Sequence, residues 1–282
     1  MGHGKLKKFA ENETFRCLLQ PAASEVLAKE PWSKELLLRD HPIKGGWARE
    51  MFGNSNPIVL ELGCGGGEYT IALAQRHPEI NYIGVDIKGA RLWKGAKFAT
   101  LNNLPNVAFL RTRIEFITAF FGPSEVSGIW LTFSDPQLSG SQNSRLSSPM
   151  FLNRYRSFMV PGGIVHLKTD SRFLYEYTMS VVRANALGIL AYSTDVYGSQ
   201  CPSGPLVCHS GLDPESLTAN DEVTGVQTFY EKMFLDMGLP ITYMAFVIDH
   251  QGDYVYPEFD ADFWREKEGP RRSFSHQPSA KQ

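Results

Sequence analysis

An apolar run that ends in a glycine-rich turn limits most narrowly how this chain can fold. Ile58–Leu62 is followed by Gly63-Cys-Gly65-Gly-Gly67 and then by Glu68–Arg76, a stretch of helix-forming composition. Glycine permits backbone conformations, and a close approach to a ligand, that other residues do not. A strand, a glycine turn and a helix in this order are typical of the first unit of an α/β domain.

The chain after this turn alternates between short apolar runs and segments of helical length. This alternation predicts a mostly parallel sheet with helices on both faces, which is an α/β fold. Further strands are predicted at 82–86, 107–110, 128–133, 163–168, 189–194 and 241–248. Helices are predicted at 90–101, 114–121, 151–159, 173–185 and 228–237.

Three parts of the chain follow from this pattern. Residues 1–56 contain few strand-like runs and are interpreted as an N-terminal arm with one or two helices. Residues 57–249 are interpreted as the main domain, and residues 250–282 as a polar C-terminal tail. Within the domain, residues 197–226 are rich in Gly, Pro, Ser and Asp, which favours a long loop.

Composition narrows the classes of function. The 282 residues, 43% of them hydrophobic, suffice for one substantial core, and the net charge of −2 excludes a globally basic nucleic-acid binder. No apolar run is long enough to predict a membrane span, and the four cysteines form no CxxC pair, which favours a reducing cytoplasm. Cys201, Cys208 and His209 lack a fourth ligand nearby, so no metal site is predicted.

Acidic residues near the glycine turn discriminate between two kinds of cofactor. A dinucleotide-binding turn requires a third glycine where this chain has Glu68. The pattern E-x-G-x-G-x-G, which begins at Glu61, is similar instead to the first motif of Rossmann-like methyltransferases. Their cofactor, S-adenosylmethionine (SAM), carries a sulfonium and an amino-acid group in place of a pyrophosphate, and Glu61 would face that cationic end.

Asp86 ends the second predicted strand, where a carboxylate can accept hydrogen bonds from ribose hydroxyls. Two structural alternatives remain: the glycines form a tight turn without a ligand, and Asp86 caps the following helix.

Asp135 directly follows the predicted strand at 128–133 and precedes Pro136. This places a carboxylate at the sheet edge where open α/β sheets bind ligands, and the proline restricts the conformation of Asp135. The alternative is a turn-forming Asp before Pro.

At this point the chain resembles the tRNA (guanine-N7)-methyltransferase family, which carries Phe-Pro-Asp-Pro where this sequence has Phe133-Ser134-Asp135-Pro136. Other matching segments between Lys5 and Ile248 are Lys7-Lys8-Phe9-Ala-Glu-Asn, Leu60-Glu-Leu-Gly-Cys-Gly, Phe151-Leu, His166-Leu-Lys-Thr-Asp170 and Thr228-Phe-Tyr-Glu231. The resemblance implies a seven-stranded Rossmann-like sheet, SAM as cofactor, tRNA as partner, and methylation of N7 of guanine 46 in the variable loop.

The resemblance also assigns residues. It implies cofactor contacts by Glu61, Gly63, Gly65, Asp86, Arg113 and Asp135. Asp135 is also the implied catalytic or guanine-reading carboxylate. Substrate contacts are implied for Asp170, Thr228 and Glu231.

Three departures from the family pattern keep rival functions open. Ser134 replaces the first proline, and residues 137–144 lack the lysines and arginines that the family uses to hold tRNA phosphates. Arg113 stands where many relatives carry an Asp that meets the adenine, and arginine cannot accept a hydrogen bond from the adenine amino group. The backbone of Arg113 or Ile114, or the side chain of Glu115, would take that role. The rivals are a SAM-dependent methyltransferase of another RNA or small molecule, and a non-catalytic RNA- or SAM-binding relative.

A row of basic residues, here called the basic stripe, could also bind RNA. Lys88, Arg91, Lys94 and Lys97 recur every three residues on the predicted helix at 90–101 and just before it, with Trp93 expected to pack beneath them. Together with Lys5, Lys7 and Lys8 they could follow an RNA backbone, although a solvated helix face has the same composition. The pattern leaves open whether the protein is a monomer or a homodimer.

Overall fold

The computed structural model describes residues 3–28, 37–198, 207–208, 219–249 and 251–272. Over this part of the chain, nine strands form one sheet. They are β1 Leu18–Leu19, β2 Ile58–Leu62, β3 Asn81–Asp86, β4 Val107–Arg111, β5 Val126–Thr132, β6 Met159–Thr169, β7 Ile189–Ser193, β8 Val207–Cys208 and β9 Thr242–Val247. Seven correspond to predicted strands. The two others, β1 and β8, have two residues each, too few for a periodic pattern to reveal them.

The strands lie in the order β1-β4-β3-β2-β5-β6-β9-β7-β8. Neighbours from β1 to β6 are parallel, whereas β9 runs antiparallel to both β6 and β7. The strand order reverses between β2 and β5, which pair with each other. In open α/β sheets a ligand crevice forms at this point, outside the carboxyl ends of the strands. The glycine turn after β2 and Asp135 after β5 therefore lie side by side.

Helices cover both faces of this sheet. In the described chain they are α1 His3–Asn12, α2 Ala23–Val26, α3 Glu68–Arg76, α4 Gly89–Leu101, α5 Pro149–Arg156, α6 Arg172–Ala184, α7 Ala219–Gly225, α8 Phe229–Asp236 and α9 Ala261–Arg272. A π-helix spans Trp47–Phe52, and 3-10 helices span Ile114–Ala119 and Gln142–Ser144. No helix that the structure describes is long and apolar enough to cross a membrane.

Alternate residues of each strand enter two separate cores, one on each face of the sheet. In β4, Ala108 and Leu110 pack into one core, and Val107 and Phe109 pack into the other. This is the two-residue periodicity expected of a strand buried on both sides. The predicted α/β fold with helices on both faces is confirmed.

Two segments differ from their sequence interpretation. The loop predicted at 197–226 contains α7 and β8, while 199–206 and 209–218, with Cys201 and His209, lie outside the described residues. The predicted polar tail contains α9, which packs against α6. The sequence did not predict α9 because this helix is polar overall. Its position depends on contacts with α6 rather than on a strong apolar pattern.

Candidate active site

A cavity of about 1060 Å³ opens at the carboxyl ends of β2 to β6. Eight of the nine residues predicted to contact cofactor or substrate line it, namely Glu61, Gly63, Gly65, Asp86, Arg113, Asp135, Asp170 and Thr228. Residues from segments that are far apart in the chain thus meet in one site. The ninth predicted residue, Glu231, does not line this cavity.

The glycines of the turn after β2 have two different roles. Gly63, Gly65 and Gly67 all have positive φ angles, of 82°, 57° and 72°. A Cβ added at Gly63 or Gly65 would meet no described atom within 4 Å, whereas one at Gly67 would lie 2.5 Å from the ring of Phe109. Gly67 is therefore required by packing. Gly63 and Gly65 instead leave room beside the backbone, which is what a bound ligand needs.

Asp86 connects the glycine turn to the start of α4. Its Oδ2 accepts a hydrogen bond from the Gly65 N–H over 3.0 Å, and its Oδ1 accepts one from the Lys88 N–H over 2.7 Å. Lys88 is the residue that caps α4, so Asp86 does support a helix start, as one structural alternative proposed. Each carboxylate oxygen can accept more than one hydrogen bond, so ribose hydroxyls can still bind to Asp86 from the cavity.

Glu61 places a carboxyl group at the buried floor of the cavity. Thr70 donates to Oε2 from both its N–H, over 2.8 Å, and its hydroxyl, and Thr132 donates to Oε1 over 2.5 Å. Burial nevertheless raises the pKa of Glu61 to about 7. A cationic group bound nearby would favour the ionised form. Sequence reasoning missed the two threonines, because a threonine within a strand or a helix gives no sign of which side chain it will bind.

The segment after β4 forms the next wall. Thr112, Arg113, Ile114 and Glu115 all line the cavity, and the Arg113 guanidinium lies 3.1 Å from the Glu115 carboxylate. The backbone at 113–114 and the Glu115 side chain are thus both present where an adenine acceptor was expected.

Asp135 is exposed and lines the cavity next to the glycine turn, because β2 and β5 are neighbouring strands. Its Oδ1 accepts a hydrogen bond from the Gln137 N–H over 2.9 Å, so Asp135 also forms the turn that its position before Pro136 suggested. Phe133 and Gln137 on either side have positive φ angles of 49° and 50°. The carboxylate is therefore held by a tight, unusual turn and still faces solvent in the cavity.

Glu231 occupies a place different from the predicted one. Its side chain is fully buried, and its Oε1 lies 2.6 Å from Nζ of Lys168 and accepts a hydrogen bond from the Tyr197 hydroxyl over 2.7 Å. Its Oε2 accepts from the Thr228 N–H, while the Thr228 hydroxyl accepts from the Glu231 N–H, a capping box at the start of α8. Glu231 thus organises the helix that carries Thr228, and a direct contact with RNA does not fit its burial.

Two aromatic residues at the rim were not singled out by the sequence. Phe229 is 67% exposed and Tyr230 is 48% exposed, and both line the cavity. Large exposed aromatic side chains beside a cavity provide flat faces for a nucleobase. Their position next to Thr228 in a matching motif was the available signal.

The basic stripe lies next to the cavity. Arg91 and Lys94 line it, and the Nζ atoms of Lys8 and Lys97 lie 4.5 and 4.8 Å from the centre of the Trp93 ring. Helix α1 packs against α4, which brings the basic start of the chain to the stripe. The expectation that Trp93 packs beneath the basic side chains is confirmed. Among the described residues no group of three or more His, Cys, Asp or Glu is arranged to hold a metal ion.

A glycine turn with open space beside it, a buried Glu in the strand before it and an Asp at the end of the next strand define a Rossmann-like methyltransferase. Residues 55–196 match a family model described as a putative methyltransferase. The chain is 42% identical to a tRNA (guanine-N(7)-)-methyltransferase of Bacteroides fragilis over 275 residues, which cover 97% of this chain and 98% of that protein. This chain belongs to the tRNA (guanine-N7)-methyltransferase family.

Two further proteins are similar to this chain. A tRNA (guanine-N(7)-)-methyltransferase of Christiangramia forsetii is 43% identical over 245 residues, covering 86% of this chain and 97% of that protein. Among solved structures, the 16S rRNA methyltransferase KamB is 15% identical with a TM-score of 0.46, covering 76% of this chain and 96% of that one.

Proposed function

We propose that this protein transfers a methyl group from SAM to N7 of guanine 46 in the variable loop of tRNA. The observation that carries the proposal is that one cavity is lined both by Glu61 and Asp86, on β2 and β3, and by Asp135 and Asp170, which follow β5 and β6. A cofactor and a base can therefore meet in it. The family to which the chain belongs supplies the identity of the base.

The residues around the glycine turn fit SAM. Gly63 and Gly65 leave space for the amino-acid end, Glu61 offers a negative charge to its cationic groups, and Asp86 offers acceptors to the ribose hydroxyls. When bound, SAM supplies a methyl group on a positively charged sulfur.

The chain has to align the guanine rather than remove a proton from it. Guanine N7 carries an in-plane lone pair and no hydrogen, so no general base is needed. Asp135, exposed in the cavity, can accept hydrogen bonds from guanine N1–H and N2–H and so fix the base in the plane of attack. Its charge also stabilises the positive charge that develops on the ring as N7 becomes alkylated.

Affinity for tRNA then comes from the surfaces around the cavity. Phe229 and Tyr230 provide stacking faces at the rim, while Arg91 and Lys94 place positive charge at the edge. This surface compensates for residues 137–144, which carry no lysine or arginine. We also propose that the enzyme acts in the cytoplasm, as a monomer or a homodimer.

The decisive experiment uses SAM with a labelled methyl group and a tRNA transcript that is unmodified. We expect label in N7-methylguanosine at position 46, located by nuclease digestion and mass spectrometry, and none in a transcript in which guanine 46 is replaced by adenine. Label at another nucleotide, or only on a small molecule, would support the rival methyltransferase. Binding of SAM and tRNA without any transfer would support the non-catalytic relative.

A further inference from the structure

Residues 251–272, here called the C-terminal segment, lie against the loop that carries Asp135. Phe259 packs edge-on against the rings of Phe173 and Tyr177 in α6, with centroid distances of 5.3 Å to each. Both of these rings are fully buried. The C-terminal segment thus closes one side of an aromatic cluster at the start of α6.

Arg145 packs against the same two rings. Its guanidinium carbon lies 4.7 Å from the Phe173 ring centre and 4.5 Å from that of Tyr177, and the residue is only 1% exposed. It donates hydrogen bonds to the carbonyls of Pro136 and Gln137 over 3.2 and 3.4 Å. Within the described chain it forms no ion pair with a carboxylate. A buried cation is costly without compensation, so the rings and the two carbonyls together hold it.

The carbonyls that Arg145 binds belong to the two residues directly after Asp135. The C-terminal segment also contacts this loop itself, because Arg265 donates to the Leu138 carbonyl over 2.8 Å and the Tyr256 hydroxyl donates to Oδ1 of Asn143. The loop is therefore held from the inside by Arg145 and from the outside by the C-terminal segment.

A second wall of the cavity is held in the same way. Glu268 is 2% exposed, and its Oε2 accepts a hydrogen bond from the Phe173 N–H over 3.1 Å. This N–H is one of those at the start of α6 that no helix carbonyl can satisfy. A carboxylate is also favoured at a helix N-terminus by the helix dipole. Asp170 stands just before this helix start, so Glu268 fixes the backbone next to a cavity carboxylate.

We propose that the C-terminal segment braces the substrate side of the active site, and that Phe259, Arg265 and Arg145 are positioning residues for Asp135. Catalysis by alignment needs side chains held to within a fraction of an ångström, and an exposed turn cannot achieve this by itself. The contacts described above support the proposal that the C-terminal segment holds the loop in place. Its effect on turnover rests on the proposed function.

The test compares Phe259→Ala and Arg265→Ala with Phe263→Ala in the full-length chain. Phe263 lies on the same helix as Arg265 and is 47% exposed, with ring contacts only to Trp264 and Lys267 among the described residues. Three quantities are measured for each variant: hydrogen exchange of the backbone amides at 137–145, the Kd for SAM by calorimetry, and kcat with tRNA.

For Phe259→Ala we expect amide exchange in the loop to rise about tenfold and kcat to fall about tenfold, since one local opening step becomes easier. The Kd for SAM stays within about twofold of that of the unmodified protein, because in the described chain the C-terminal segment does not contact the residues proposed to bind the cofactor. Arg265→Ala gives smaller changes of the same kind, and Phe263→Ala gives none.

Unchanged loop exchange in both brace variants, or equal effects in Phe263→Ala, would overturn the proposal. So would faster exchange with an unchanged kcat. If Phe259→Ala does not fold, the result for Arg265→Ala tests the proposal instead. The Arg265 side chain is 42% exposed, so its removal leaves the hydrophobic core intact. If even the unmodified chain fails to methylate tRNA, the proposed function fails, while the exchange data still show whether the segment braces the loop.

Discussion

The Nζ atom of Lys168 lies 2.6 Å from Oε1 of Glu231, and both side chains are completely excluded from solvent. Lys168 also donates hydrogen bonds to the carbonyls of Val223 and Val226, the latter over 3.0 Å. One buried lysine thereby ties together β6, the segment around α7 and the start of α8. The two matching motifs that contain Lys168 and Glu231 meet in this ion pair, which places Thr228 and the rim aromatics at the cavity.

Removing one partner of this pair should destabilise the protein strongly. Lys168→Met leaves the Glu231 carboxylate buried without a counter-charge, so we expect a loss of about 3 to 5 kcal/mol in the free energy of unfolding. Chemical denaturation monitored by circular dichroism measures it.

The double variant Lys168→Met/Glu231→Leu serves as the control. It removes both charges, so a substantial part of the stability should return. If instead Lys168→Met is as stable as the unmodified protein, the ion pair does not organise this region.

Replacing Asp135 by asparagine should separate charge from turn formation. The amide oxygen of the introduced side chain can still accept from the Gln137 N–H, so the turn persists, but the negative charge is lost. We expect kcat with tRNA to fall by roughly 100-fold or more, as for other groups that stabilise developing charge. The Kd for SAM should change by less than about threefold, because the groups of the glycine turn and the acceptor oxygens of Asp86 that are proposed to bind SAM remain. A large loss of SAM affinity with an unchanged kcat would assign Asp135 to the cofactor instead.

The sequence revealed most of the sheet and of the cofactor end of the site. The runs that became β2 and β3 are apolar and bounded by turns, and Glu61 and Asp86 stand at fixed positions relative to them. Such local patterns are set by the periodicity of a strand and by the conformational needs of glycine. They require no knowledge of the tertiary packing.

The substrate side could not be predicted in the same way, because it depends on contacts between distant segments. Glu231 was assigned to tRNA, yet the face of α8 on which it lies is decided by Lys168, 63 positions earlier in the chain. Nothing in the sequence around Arg145 or Phe259 indicates which side chains they will contact. Only packing against the same two rings of α6 makes them neighbours.

Asp86 should control the affinity for SAM. Asp86→Ala removes acceptors for the ribose hydroxyls and also frees the Gly65 and Lys88 N–H groups, so we expect the Kd for SAM to rise by about 10- to 100-fold. Calorimetric titration measures it. Asp249→Ala is the matched control, because Asp249 is exposed and does not line the cavity. Equal affinities of the two variants would remove Asp86 from the cofactor site.

The buried carboxyl group of Glu61 should make stability depend on pH. Its pKa is about 7 in the folded protein, against 4.5 in an unfolded chain, because burial disfavours the charged form. Between these values the folded state binds more protons than the unfolded state. The contribution of Glu61 to the free energy of unfolding therefore decreases as the pH rises from about 4.5 to about 7, by about 3 kcal/mol in total, and it is constant above that range.

Glu61→Gln isolates this contribution, because glutamine keeps the shape of the side chain and cannot ionise. Urea denaturation of both proteins between pH 5 and pH 8 gives the difference in their free energies of unfolding. We expect the unmodified protein to lose stability relative to Glu61→Gln as the pH rises, with most of the change below about pH 7. Parallel pH profiles would mean that Glu61 is already ionised at pH 5, with its charge fully compensated by the hydrogen bonds from Thr70 and Thr132.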